Sequence, residues 1–223
     1  MIANDVTNLS ELIDAQVHAG AAMPDQPTAA ALGTSAPPRD RLPPIAEEAY
    51  TEAQRQAAEE FAAGRGYAVS GPFVPLIRSP ELMLRAKAMG DYLRFKSTLG
   101  SRLNEMVILI TAREWTQQYE WAFHHGFAVK AGLRREIIDA IADGYRPVDM
   151  ADDEEAAYEM SIELQRTKRV SDESWRKAIA SFGEQGVIDL IGLNGYYTML
   201  AMTMNAARTA VPPGMAEPLK YFP

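Results

Sequence analysis

The chain has 223 residues, 47% of them hydrophobic, enough to bury a sizeable core in one large domain or two small ones. Its 22 basic and 30 acidic residues leave a net charge of −8 with no clustered basic run, which argues against nucleic acid and anionic membrane surfaces as partners. The chain has no cysteine, which excludes disulfides, thiolate catalysis and cysteine-held metal centres.

The first residues, MIANDVTNLSELIDAQ, put acidic groups where a secretory leader would be basic, and no apolar run reaches the roughly 18 residues of a membrane span. A cytoplasmic location is the expectation. Residues 1–40 are rich in Ala, Pro, Ser and Thr and read as a flexible tail. One short helix, NLSELIDAQVHAG, is expected within it, capped by Ser10, and His18 there has nothing to orient it for chemistry. A single helical domain is expected from 41 to 223.

That domain opens on Arg41-Leu42-Pro43-Pro44. A first helix runs from a Thr51 cap to Gly64-Arg65-Gly66, and a proline-punctuated loop, SGPFVPLIRSPELM, comes next. Ser79-Pro80-Glu81 then starts a helix expected to stop near Gly100. From Ser101 to Gly132 runs the longest helical pattern, and REIIDAIADG makes a short amphipathic helix after it. Another helix opens on the acidic run 152–155, favourable at a helix N-terminus, and SDESWRKAIASFGEQG and VIDLIGLNGYYTMLAMTMNAA give two more, closed by Val211-Pro212-Pro213-Gly214. Strand signals are thin, because Asn194-Gly195 lies inside an apolar helical pattern rather than between alternating runs. The expected class is all-α, with a faint internal echo between EMVILITAREWTQQYEWAFHHGFA and GVIDLIGLNGYYTMLAMTMNAA.

One segment concentrates ionisable and aromatic groups beside an apolar run: Arg113, Glu114, Trp115, Gln117, Tyr119, Glu120, Trp121, His124 and His125. On a helix Gln117, Glu120 and His124 project from one face, and Glu120 with His124 forms an i, i+4 pair. A carboxylate that orients an imidazole is minimal equipment for moving a proton at neutral pH. The plainer alternative is a solvated pair worth a few tenths of a kcal/mol. Metal binding is disfavoured, since the adjacent His124 and His125 point about 100° apart and no HExxH spacing exists. No G-x-S-x-G turn or Gly-rich phosphate loop is present.

At these residues the sequence resembles the carboxymuconolactone decarboxylase-like family of the alkylhydroperoxidase D-like superfamily. The resemblance is carried by Glu105, Ile108-Leu109, Thr111-Ala112-Arg113, Tyr119-Glu120-Trp121, His124 and Ala131-Gly132-Leu133. It extends upstream through Gly71-Pro72-Phe73, Ser79-Pro80-Glu81-Leu82 and Tyr92-Leu93-Arg94-Phe95, and downstream through Phe182-Gly183-Glu184-Gln185-Gly186 and Gly195-Tyr196-Tyr197. Roughly residues 41–215 are covered. The implied fold is an alkylhydroperoxidase D-like helical bundle, here with a degenerate repeat, and the family implies a homo-oligomer. Where the peroxidase branch carries a Cys-x-x-Cys pair between a glutamate and a histidine, this chain has Gln117 and Glu120 between Glu105 and His124. Disulfide-cycling peroxide reduction by that mechanism is therefore impossible here.

What remains resembles the decarboxylase branch. It implies a lyase without metal or organic cofactor that performs a decarboxylation or isomerisation step on a small carboxylated lactone from aromatic-ring breakdown. His124 is then the general acid or base, Glu120 its partner or a second proton carrier, Tyr119 a hydroxyl donor and Glu105 a further carboxylate. Arg113 anchors a substrate carboxylate, Gln117 contacts substrate, and Trp121 and Phe123 wall the pocket. An error of one position in the match exchanges His124 for His125. The reading from another class is a non-catalytic helical oligomer that binds a small hydrophobic ligand. The two differ in whether Glu105, Tyr119, Glu120 and His124 converge on one apolar pocket. On one straight helix Glu105 and His124 stand about 28 Å apart. The pattern thus requires a break at about 114–116, with Thr116 capping a second helix from Gln117, unless Glu105 serves a neighbouring subunit or only the fold.

Overall fold

The computed structural model describes residues 40–211 and 219–220. The chain divides into two units, Met1–Pro38 and Arg39–Pro223. The helix expected near Ser10, His18 and most of the residues after Val211 lie outside the described residues.

Described residues of the second unit form helices joined by turns, with no strand among them. A 3-10 turn at Glu47–Ala49 leads into α1 (Glu52–Arg65), one turn of helix α2 (Phe73–Leu76), α3 (Pro80–Phe95), α4 (Ser101–Glu114), α5 (Gln118–Lys130), α6 (Arg135–Ala142), α7 (Asp152–Thr167) and α8 (Asp172–Ala207). The class is the all-α helical bundle that the sequence predicts. Among the described residues no helix is long and apolar enough to cross a membrane.

Local chemistry sets the ends. Thr51 and Gln54 make a capping box at α1, and Gly66 closes it with φ 76. Ser171 accepts from the Ser174 N–H at the start of α8. Ser79 makes no such bond, and Pro80 at the first helical position starts α3 instead. α3 stops at Phe95, short of Gly100, because side chains from other helices take over its end. Asn104 Nδ2 donates to the Leu93 carbonyl at 3.0 Å and the Arg94 carbonyl at 3.3 Å. The buried Asp189 accepts from Tyr92 Oη and from both the N–H and the hydroxyl of Thr98.

α4 is the axis of the fold. Every residue from Leu103 to Arg113 is buried, so the helix is covered on all sides. Leu103, Val107 and Ile108 face a core built with α1, α2, α3, α7 and α8 around Phe61, Met83, Met160 and Leu190. Met106, Leu109, Ile110 and Ala112 face a second core with Trp121, Ile137, Ile138 and Tyr158. At the polar junction Gln165 bonds Asn194, Thr198 and Thr111 through Nε2 and accepts from Trp115 Nε1, tying α4, α7 and α8 at one point.

The break between α4 and α5 falls where the 28 Å argument requires it. Its cap differs: Thr116 takes a left-handed conformation, φ 46, and Gln117 is the N-cap, its side chain accepting from the Tyr119 N–H at 2.7 Å. The two helices expected over 171–207 are both present and run together as α8 across a sharp kink at Gly183, three residues before the expected junction, whose φ 65 and ψ 179 suit glycine almost alone. That element has no counterpart of the α4–α5 break, so the internal echo does not extend to the backbone there.

Candidate functional site

Turning the chain at Trp115–Gln117 folds α5 back along α4 and brings two distant residues together. His124 Nδ1 lies 2.7 Å from Glu105 Oε2, with both side chains buried. A carboxylate only accepts, so the imidazole donates from Nδ1 and presents Nε2, which makes no hydrogen bond among the described residues. Burial pushes the His124 pKa below its ordinary value; the Glu105 bond opposes the shift and the charge of Arg94 adds to it. His124 is neutral at pH 7. Its partner is Glu105 from α4, not Glu120 as the i, i+4 spacing suggested, because the imidazole leans across to the neighbouring helix.

Glu120 sits one turn earlier on α5, 2% exposed, and neither carboxyl oxygen has a hydrogen-bond partner among the described residues. Burial pushes its pKa well above the usual range. A carboxylate in the first turn of a helix gains roughly 0.3–1 kcal/mol from the helix dipole, whereas burying an unpaired charge costs several kcal/mol. Desolvation wins, and the group is held protonated as a neutral donor.

His124 and Glu120 line one cavity of about 490 Å³, counted to its open mouth. Tyr119 and Phe123 of α5 stack at 6.3 Å and 17° along one wall, and Gly71 closes over the Tyr119 ring. With φ 58 and only 2.9 Å between an added Cβ and that ring, position 71 admits only glycine without movement. Burial also raises the Tyr119 phenol pKa, so it is a neutral hydroxyl. Tyr197 of α8 meets the His124 ring edge-on at 5.2 Å, and Tyr196 crosses Tyr197 at 90°. Two arginines complete the wall. Arg65 bonds Asp91 at 2.9 Å, and Arg94 lies 3.6 Å from the second oxygen of Glu105.

The structure thus brings His124, Glu120, Tyr119 and Phe123 to one cavity, with Glu105 directly behind His124. It leaves three expected residues elsewhere. Arg113 stands two turns along α4 from Glu105, about 12 Å away and about 80° further round the helix, and its guanidinium donates to the Lys220 carbonyl at 2.5 Å. Trp121 is 2% exposed within the second core, about 100° round α5 from Glu120. Gln117 is committed to the helix cap and, through Nε2, to Asn205 at 2.8 Å. His125 turns toward Trp121, its ring 6.4 Å away, and does not share the face of His124. No cluster of three or more metal-ligating side chains occurs among the described residues.

Arg65, Arg94, Tyr196 and Tyr197 are the residues that spacing around His124 does not find. They arrive from three other helices. The available signal was Arg94 itself, a cation between Leu93 and Phe95 at the end of an apolar helix.

Neither a protein-family model nor a curated protein matches the chain by sequence. Among the solved structures that resemble it are two of the debrominase Bmp8: an apo form and a cysteine-to-alanine variant in complex with 2,3,4-tribromopyrrole. Each has a TM-score of 0.60 and 13% identity, and the match covers 79% of this chain and 92% or 93% of theirs. The likeness shows a shared helical fold.

Proposed function

We propose that this cavity is the active site of a carboxymuconolactone decarboxylase-like enzyme, which moves protons on a small ring-derived acid without a metal or organic cofactor. The observation that carries the reading is the pairing of opposite roles in one cavity. An oriented neutral imidazole, His124, is a base at pH 7, and a carboxyl kept protonated by burial, Glu120, is an acid. A scaffold gains nothing from burying these groups together, and an unpartnered buried carboxyl is a standing cost to the fold.

The arrangement suits decarboxylation or isomerisation of a carboxylated lactone. When a carbon–carboxylate bond breaks, carbon dioxide leaves and the electron pair stays on the ring, delocalised onto the neighbouring carbonyl oxygen. Glu120 and Tyr119 donate hydrogen bonds to that oxygen as its charge grows. The carbon that loses carbon dioxide takes up one proton, which His124 Nε2 first accepts from solvent water and then delivers, and Glu105 stabilises the transient imidazolium. Isomerisation uses the same groups, with His124 taking the proton from one carbon and delivering it to another. The debrominase likeness supports a small cyclic substrate.

The test is turnover of the protein and of His124→Gln against carboxylated muconolactones and related ring-cleavage acids, following absorbance and carbon dioxide release. The expected loss in the variant is at least about 100-fold. Undiminished turnover in folded His124→Gln refutes the role, and a wild-type protein inert on the whole panel favours the ligand-binding reading.

A further inference from the structure

Arg94 stands out among the charged groups of the cavity. Its side chain is 13% exposed, and it donates no hydrogen bond to any described residue. Its Nε is fully buried without a partner. Its single carboxylate neighbour, Glu105 Oε1, lies at 3.6 Å, beyond hydrogen-bond reach, and that carboxylate is already bonded to His124 through its other oxygen. The guanidinium is held in place all the same. Phe95 and Phe127 flank it at 5.1 and 5.6 Å, and Asn104 fixes the carbonyl of residue 94. Five N–H donors held in a preorganised position without a hydrogen-bond acceptor among the described residues describe a group suited to binding an anion.

The charge count agrees. Arg65 and Lys87 share one carboxylate, Asp91, at 2.9 Å each, and Arg94 shares Glu105 with the neutral His124. Three cations face two carboxylates. Arg65 and Arg94 line the wall and Lys87 does not, so the cluster beside the cavity carries a surplus of one positive charge in a chain whose net charge is −8. The rest of the wall offers flat aromatic faces, Tyr119 stacked on Phe123 and Tyr197 edge-on beside His124.

We infer that Arg94 is the carboxylate anchor of the cavity, and that the ligand is a planar ring acid held by one carboxylate on Arg94 with its ring against Tyr119 and Phe123. This rests on the cavity being the active site and names its substrate class. An ion pair stabilises a carboxylate and so opposes its loss. The group on Arg94 is therefore the one retained through the reaction, and any departing carboxylate lies elsewhere on the ring, toward Glu120 and His124.

The experiment is calorimetric binding of benzoate and its uncharged isostere benzamide to the full chain, to Arg94→Gln and to His124→Gln. Benzoate is expected to bind the wild-type protein at least about tenfold more tightly than benzamide, to lose that preference in Arg94→Gln, and to keep it in His124→Gln. Equal binding of the two probes to wild type, or no benzoate binding, overturns the inference without any variant. A preference that survives in folded Arg94→Gln also overturns it. The two readings fail separately: if the benzoate preference stands while no acid is turned over, the acid–base reading falls and the anchor remains.

Discussion

At the scale of single residues, the opposite displacements of His124 and Glu120 have consequences for rate and for stability. The base works when neutral, so kcat/KM rises with pH through a His124 pKa below the ordinary 6.5, and it falls again as Glu120 loses its proton above the usual carboxyl range. Glu120→Gln keeps a neutral donor but cannot give up a proton. It is expected to remove the alkaline limb of the profile, and a limb unchanged in this variant assigns it to another group. Stability moves independently of activity. Above about pH 4.5 the unfolded chain releases the Glu120 proton while the native state keeps it, so the native state binds more protons and loses stability as pH rises, by up to about 1.4 kcal/mol per unit, until the folded pKa is reached. Denaturant melts at pH 5 and 7.5 check this: Glu120→Gln should gain stability over wild type at the higher pH and little at the lower. Much of this site was legible in the sequence, since the 105, 120 and 124 positions carry both the family resemblance and the proton-transfer residue types. The true partner of His124 was not legible from helix spacing, because the imidazole chooses between a neighbour on its own helix and one on a facing helix. Only packing decides that.

Helix boundaries were readable wherever a local signal decides them: the Thr51 box, Pro80, the acidic start of α7 and the glycine closing α1. They were not readable where another helix decides. α3 ends at Phe95 because Asn104 takes the carbonyls of its last turn and Asp189 captures Thr98 just beyond it, and both reach it from outside its own sequence. The kink in α8 makes an element-level prediction. Nothing lies within 4 Å of a Cβ added to Gly183, so Gly183→Ala meets no steric clash and its cost is purely conformational. The expected loss is about 1–3 kcal/mol, read as a lowered denaturation midpoint. A midpoint unchanged by the substitution means the two halves of α8 do not need their angle. Gly90 makes the opposite case, for its added Cβ would lie 2.3 Å from the Tyr196 hydroxyl. Gly90→Ala is expected to push Tyr196 toward the cavity, to cost about 1–3 kcal/mol of stability and to weaken benzoate binding; full affinity with lost stability points to movement of α3 instead.

For the molecule as a whole, the −8 charge and the positive cavity act at different distances on an anionic ligand. The global field repels it during approach, and the local surplus holds it once inside. Screening removes the long-range part first, as the Debye length falls from about 30 Å at 0.01 M salt to about 8 Å at 0.15 M. The association rate of benzoate, measured by stopped flow, is therefore expected to rise over that range, and a falling rate places the dominant field at the cavity mouth. The corner at Trp115–Gln117 carries a last consequence, for the order in which function is lost. Glu105 and His124 are nineteen positions apart and touch only while α5 lies docked on α4. The docking is held by the Gln165 junction at one end and by Trp121 in the second core. A fluctuation that lifts α5 alone disconnects the base from its carboxylate while the helices around Phe61 and Leu190 stay packed. Inactivation by heat or denaturant should thus precede global melting, with amide hydrogens of α5 exchanging before those of α4.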